Sequence, residues 1–345
     1  MTSANAPRLD GQEKSVYWVA GLVVLLAALC GLFYYKWGAA LRTIGGVQTA
    51  GHWTGSAQGL TTGGVLTASL YYFRRIWLAL VYGLLIGAAV RAFVSPRRVV
   101  ALLGAGGPVR RQLAGGVAGT PLMLCSCCIT PIFTSVYERG ARLGSALALM
   151  LASPGLNPAA LTLTFLLFPP SLAFGRLAAA LTAVLLLPVA LEHLFGASLV
   201  LAASRSQVVE DDGPRSPREF LTRFARSLAS LTLTTVPLIA AGVVLSSLVV
   251  PAAVSLSSGG AALAVVFVAA IAVLVALPTF FEIPLAMVLL NLGAPGAAAA
   301  MLFAGPIVNL PSLFVLARET HARLAVSLAA GIWLLAVGVG LALSL

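Results

Sequence analysis

Nine apolar runs fill most of the chain: Val16–Tyr35, Ile76–Val94, Gln112–Tyr137, Leu143–Phe168, Leu172–Leu194, Ser227–Val250, Ala261–Leu290, Pro295–Ala317 and Ala325–Leu343. A helix needs about 20 apolar residues to cross a bilayer's hydrocarbon core. Charged residues make up only 9% of the chain, where a water-soluble domain carries about a quarter. Mean hydropathy is +1.01. The sequence therefore predicts an all-α polytopic membrane protein whose surroundings are lipid. The net charge of +11 is almost all Arg. These residues sit largely in short loops between apolar runs, which reads as membrane topology and not as a surface for nucleic acid.

Segment by segment, residues 1–15 read as a disordered polar tail and 16–38 as an extra transmembrane helix, retained and not cleaved as a signal. Residues 39–69 read as an exposed loop rich in Gly and Thr. A polar cytoplasmic linker at 204–219 then separates two permease-like halves, 70–203 and 220–345. The halves repeat. Ile129-Thr-Pro131, Gly140 and Ala152-Ser-Pro-Gly-Leu-Asn-Pro158 in the first correspond to Glu282-Ile-Pro284, Gly293 and Ala304-Gly-Pro-Ile-Val-Asn-Leu-Pro311 in the second. Pro131 and Pro284, like Gly140 and Gly293, are 153 positions apart. Such internal repeats are common in secondary transporters.

The Arg positions favour one topology. If every run crosses once, the basic loop at Arg97, Arg98, Arg110 and Arg111 faces the opposite side from the loop at Arg205, Arg215, Arg218, Arg223 and Arg226, against the rule that basic loops stay cytoplasmic. If Gln112–Tyr137 and Ala261–Leu290 are instead re-entrant or broken hairpins, both loops are cytoplasmic. Each repeat then has three spans and one hairpin, and the two are inverted. The expectation is a multi-pass protein of the plasma (inner) membrane with a cytoplasmic N-terminus. Arg74 and Arg75 are left outside.

The first hairpin carries Thr120-Pro-Leu-Met-Leu-Cys-Ser-Cys-Cys-Ile-Thr-Pro131. Pro121 and Pro131 are expected to break it, leaving unwound backbone, which at membrane depth must be buried or line a cavity. Thiolates prefer soft ions and metalloids. Cys125, Cys127 and Cys128 thus read as ligands of a small thiophilic substrate, against the plainer reading of small buried hydrophobes. Cys30 has no such context and reads as packing. Glu282 is an acid deep in an apolar run, which suggests proton coupling; capping a helix end is its plainer role. Asn157 and Asn309 sit in matched Pro-rich breaks and bind substrate or satisfy freed backbone. Pro154, Pro158, Pro278, Pro284, Pro306 and Pro311 are the remaining expected breaks. With no nucleotide-binding Gly-Lys loop, a transporter without cofactor is expected, not an enzyme.

Cys125-Ser-Cys-Cys-Ile-Thr-Pro131, Gly140 and Ala152-Ser-Pro-Gly-Leu-Asn-Pro158, with Ala304-Gly-Pro-Ile-Val-Asn-Leu-Pro311, resemble the predicted permease family that includes organoarsenical efflux permeases. The resemblance covers about residues 70 to 345. It implies efflux of trivalent organoarsenicals, with Cys125 and Cys127 as ligands. Cys128 stands where that family usually has Gly, and Thr130 also departs from the pattern. The third thiol suits a three-thiolate site for a trivalent metalloid or soft metal ion, or a different substrate. Two rival readings stay open. One is a membrane thiol oxidoreductase or redox sensor, since Cys125 and Cys128 have Cys-x-x-Cys spacing. The other is a transporter of a thiol or sulfur compound.

Overall fold

The structure, a computed structural model, describes residues 10–50, 65–104, 106–203, 217–255, 261–277 and 280–344. Among these residues it is all-helical. In chain order the helices are α1 (Asp10–Ala50), α2 (Val65–Phe93), α3 (Pro96–Val99), α4 (Pro108–Gly119), α5 (Ser126–Glu138), α6 (Leu143–Gly155), α7 (Pro158–Leu167), α8 (Pro170–Leu185), α9 (Leu187–Ala203), α10 (Pro217–Ser255), α11 (Ala261–Leu274), α12 (Glu282–Asn291), α13 (Pro295–Ile307), α14 (Leu310–Glu319) and α15 (Ala322–Ala342).

Five stretches are long and apolar enough to cross a membrane: Val19–Thr49, Ser69–Phe93, Pro170–Phe195, Pro217–Leu245 and Ala322–Ala342. Two bent pairs, α6 with α7 and α13 with α14, bring the number to as many as 7; their bends are 41° and 44°. The pairs α4/α5 and α11/α12 are made of shorter helices joined at a break. Each break holds a non-glycine residue in the left-handed region, Met123 (φ 49°) in the first and Phe280 (φ 76°) in the second.

Helices α6 and α13 form the centre. Every residue of α6 is buried, as are Gly296 to Gly305 of α13. The two helices touch, and α4 packs on α6 as α11 packs on α13. Lipid is as apolar as a leucine side chain, so packing inside a membrane relies on small residues that let backbones approach. Gly115 and Gly119 of α4 lie against the carbonyls of Ser145 and Leu149 in α6. Gly83 and Gly87 of α2 lie against the carbonyls of Cys128 and Pro131 in α5. Both legs of the cysteine-bearing hairpin are thus fixed by glycines four residues apart. The outward surface is apolar, with Val23 and Phe33 on α1, Leu233 on α10 and Leu334 on α15 exposed.

The turns after the two broken pairs are alike. Arg139, Gly140 and Ala141 donate their N–H groups to Ser135, Tyr137 and Val136. The residues 153 positions later, Leu292, Gly293 and Ala294, donate to Val288, Leu290 and Leu289. Gly140 and Gly293 have φ of 94° and 74°, a conformation that glycine adopts without steric cost.

Several expected boundaries shift. Residues 10–15 and 39–50 are helical in α1, where a disordered tail and a loop were expected. The Thr43 and Thr49 hydroxyls donate to the Ala39 and Gly45 carbonyls one turn back. This local bonding is compatible with a helix, and Ala40 and Val47 are buried. Residues 1–9, 51–64 and 204–216, from the expected tail, loop and linker, lie outside the described residues, and α10 begins at Pro217. Pro131 was expected as a break but lies inside α5, while Pro154 and Pro306 lie in the last turns of α6 and α13, directly before the two bends. For Pro131 the reason is visible. Its missing N–H would have bonded the Cys127 carbonyl, and the Thr130 hydroxyl donates to that oxygen instead, at 2.6 Å.

These contacts predict opposite outcomes for two glycines. A methyl group at Gly83 overlaps the Cys128 carbonyl, whereas at Gly38 it meets nothing within 4 Å. Gly83→Ala is expected to destabilise the protein by about 1–3 kcal/mol through overpacking, and Gly38→Ala to be neutral or stabilising. Thermal unfolding of the purified protein checks this.

Candidate substrate-binding site

The first break is built residue by residue. After the 3₁₀ turn Thr120–Leu122, which contains Pro121, Met123 reverses the chain and Cys125 caps α5 in an extended conformation. The Leu124 N–H donates to the Ser153 hydroxyl at 3.0 Å. The Cys125 carbonyl accepts the N–H groups of Cys128 and Ile129. An extended cap followed directly by a helical turn aims three side chains at one place. Cys125 Sγ lies 2.6 Å from Cys128 Sγ and 3.2 Å from Cys127 Sγ, and the Cys127 and Cys128 sulfurs are 3.9 Å apart. Two sulfurs bonded to one metal ion at about 2.3 Å each can be no more than about 4.6 Å apart, and all three spacings fall inside that limit. All three residues are buried. The Tyr72 hydroxyl on α2 contacts Cys127 Sγ at 2.9 Å. Cys30, expected to pack, is exposed.

Glu282, the first residue of α12, is buried with Arg176 of α8. Arg176 Nη2 donates to Glu282 Oε1 at 3.0 Å, and Nη1 donates to the Thr164 hydroxyl at 2.6 Å. Both side chains are almost fully enclosed, at 1% and 2% exposure. Glu282 Oε2 has no hydrogen-bond partner among the described residues.

The asparagines cap helices. Asn157 Oδ1 accepts from the N–H groups of Ala159 and Ala160, with Pro158 opening α7. Asn309 Oδ1 accepts from Ser312 N–H, and the Ser312 hydroxyl accepts from Asn309 N–H, a reciprocal capping box with Pro311 in the first turn. Asn309 Nδ2 has no hydrogen-bond partner among the described residues. Pro284 lies in the first turn of α12; Pro278 lies outside the described residues.

Two cavities meet at Cys125. The smaller, about 10 Å³, is lined by Leu124, Cys125, Pro154, Asn157, Ala160, Leu277, Glu282 and Pro306, and it is about large enough for one water. Both broken pairs and both bent pairs contribute to its wall. The larger, about 300 Å³, lies between α1, α2 and the break, and Cys125 and Asn157 line it as well. The structure thus gathers Cys125, Asn157 and Glu282 around one cavity. Asn309 is not among its lining residues.

Sequence reasoning missed Arg176 and Tyr72. A lone Arg in a run otherwise fit to span, in a chain with one deep acid, was the available signal for Arg176. Tyr72 carried none.

The profile of a family of predicted permeases matches residues 62–345. This is the family that the cysteine and Asn-Pro motifs resemble. The chain is 28% identical over 335 residues to UPF0718 protein YraQ of Escherichia coli, covering 91% of this chain and 93% of that one. It is 25% identical over 159 residues to UPF0718 protein MJ0584 of Methanocaldococcus jannaschii, covering 46% of this chain and 44% of that one. No solved structure matches.

Removing one partner of a buried ion pair typically costs about 3–5 kcal/mol, because the other charge is left unpaired. Glu282→Gln and Arg176→Met are each expected to lower unfolding stability by about that much, and the double variant by less than the sum. A double-mutant cycle on the purified protein measures it.

Proposed function

Because the chain belongs to the predicted permease family, we propose that it is a secondary transporter whose substrate is a thiophilic species held by Cys125, Cys127 and Cys128. Family membership supports a transporter over an enzyme. The observation that carries the substrate reading is the convergence of three buried sulfurs beside a cavity. An inorganic trivalent metalloid or a soft metal ion can take all three sulfurs, whereas a trivalent organoarsenical, with one bond kept to carbon, takes two of them; efflux across the inner membrane is the proposed direction. Tyr72 orients Cys127. The side-chain N–H groups of Asn157, which lines both cavities, face substrate while its oxygen holds the start of α7; Asn309, outside that lining, acts through the start of α14 that it caps. Glu282 lines the smaller cavity, and its partnerless Oε2 takes up the coupling proton. Protonating this carboxylate weakens its attraction to Arg176 and loosens the contact between α8 and α12.

The proposed topology has seven crossings, a cytoplasmic N-terminus, and α4/α5 and α11/α12 as re-entrant hairpins of two inverted repeats. Support comes from the like turns at Gly140 and Gly293, the like bends of the two spans, and the shared cavity. Rocking of one repeat against the other would alternate access to the cysteines. A second reading, a redox-active pair, rests on the short approach of Cys125 to Cys128; trapping thiols in cells distinguishes it by finding a disulfide that forms and is reduced again.

Cys127→Ser is expected to abolish transport of a trivalent arsenical in membrane vesicles at unchanged protein level, and full transport by that variant removes the ligand role. Glu282→Gln, normalised to protein level, is expected to lose the response of transport to an imposed pH gradient; an unchanged response removes the coupling role. Reporters fused after Tyr137 and after Leu290 are expected to read cytoplasmic and external respectively, and a cytoplasmic reading after Leu290 refutes the second hairpin.

A further inference from the structure

The larger cavity has a charge pattern that the cysteines do not require. Helix α1 presents Lys36, Ala39, Arg42 and Thr43 to it, residues that recur at helical spacing on one face. Helix α2 adds Arg75, and Cys125 and Asn157 line the inner end. Three cations thus border a space of about 300 Å³, and none of its lining residues is acidic. The sequence has no Asp or Glu between Glu13 and Glu138. Glu282 lines the smaller cavity and is paired with Arg176. Lys36 and Arg42 lie within Val19–Thr49, and Arg75 within Ser69–Phe93, both stretches apolar enough to span. Charges in such segments are costly and mark ion or substrate paths. The Arg75 guanidinium lies 5.8 Å from the centre of the Phe281 ring, and this stacking helps to fix its position.

We propose that this cavity is the antechamber of the cysteine site and admits small anions that carry a thiol-reactive atom. The assignment rests on the cysteine-ligand reading for the thiol-reactive half of the substrate, and on the cationic wall for the anionic half. A low-dielectric cleft lined by one sign of charge concentrates ions of the other sign, so a bare soft cation is repelled and a neutral species gains nothing. The antechamber also accounts for a topological cost. In the seven-crossing arrangement Lys36, Arg42, Arg74 and Arg75 are on the external side, against the basic-inside rule. Three of these four line the cavity.

The test uses two alkylthiosulfonate reagents with the same thiol chemistry, one bearing a sulfonate and one a quaternary ammonium, on the full chain in lipid nanodiscs. Mass spectrometry of the peptide containing Cys125 reports each rate, taken relative to the same reagent's rate with a free thiol. The anionic reagent is expected to react about tenfold faster or more, with the advantage shrinking as salt rises. The ratio falls toward one in Lys36→Gln/Arg42→Gln/Arg75→Gln and part of the way in each single variant. Equal or faster reaction of the cationic reagent, a ratio unmoved by the variants, or no reaction of Cys125 with either reagent overturns the proposal. In parallel, a phenylarsenical with a para-carboxylate is expected to bind more tightly than its uncharged parent. Equal binding of the two refutes anion selection of substrate. If neither arsenical binds while the ratio of the two disulfide-forming rates holds, the antechamber stands and the cysteine-ligand reading fails.

Discussion

The structure depends on how closely two helices approach the backbone of the cysteine hairpin. Gly83 and Gly87 of α2 lie against carbonyls of α5, and Gly115 and Gly119 of α4 lie against carbonyls of α6. These contacts hold a non-helical segment inside the protein, away from lipid, where its polar groups have no water to bond. The segment's needs are met locally. Ser153 accepts from Leu124, Thr130 donates to the carbonyl that Pro131 leaves free, and the Cys125 carbonyl accepts two N–H groups of the next turn. With the backbone so fixed, the three sulfurs have one place to point.

At the cavity that Cys125 lines, Glu282 is held in a buried ion pair with Arg176. A buried ion pair is poor evidence of stability, since desolvation offsets much of its attraction. Its position is more informative. One carboxylate oxygen is committed to Arg176, the other has no hydrogen-bond partner among the described residues, and Glu282 lines the cavity that Cys125 also lines. Cys125 and Glu282 thus line one space formed by both halves, and the proposed coupling of a proton to substrate binding rests on that juxtaposition.

Much of this was legible in the sequence because it is written in residues of strong local meaning. Two prolines around three cysteines marked the break, and recurring Pro, Gly and Asn marked the corresponding segments of the second half. Other features depended on contacts that composition does not carry. Residues 39–50 look like a loop by their glycines and threonines, yet threonine hydroxyls bond back one turn and the helix continues. Pro131 looks like a break, yet a neighbouring hydroxyl takes its carbonyl. Arg176 finds Glu282 106 positions away, and Tyr72 reaches Cys127 across 55, so neither partner could be read from its own surroundings.

The central claim is that Cys125, Cys127 and Cys128 bind one atom together. X-ray absorption at the arsenic edge of the full-length protein, loaded with inorganic arsenite, counts the sulfur neighbours directly. Three sulfurs around arsenic in the wild type and two in Cys128→Ser are the predicted result. Arsenic surrounded only by oxygen, or a sulfur count that does not change in Cys128→Ser, would contradict it.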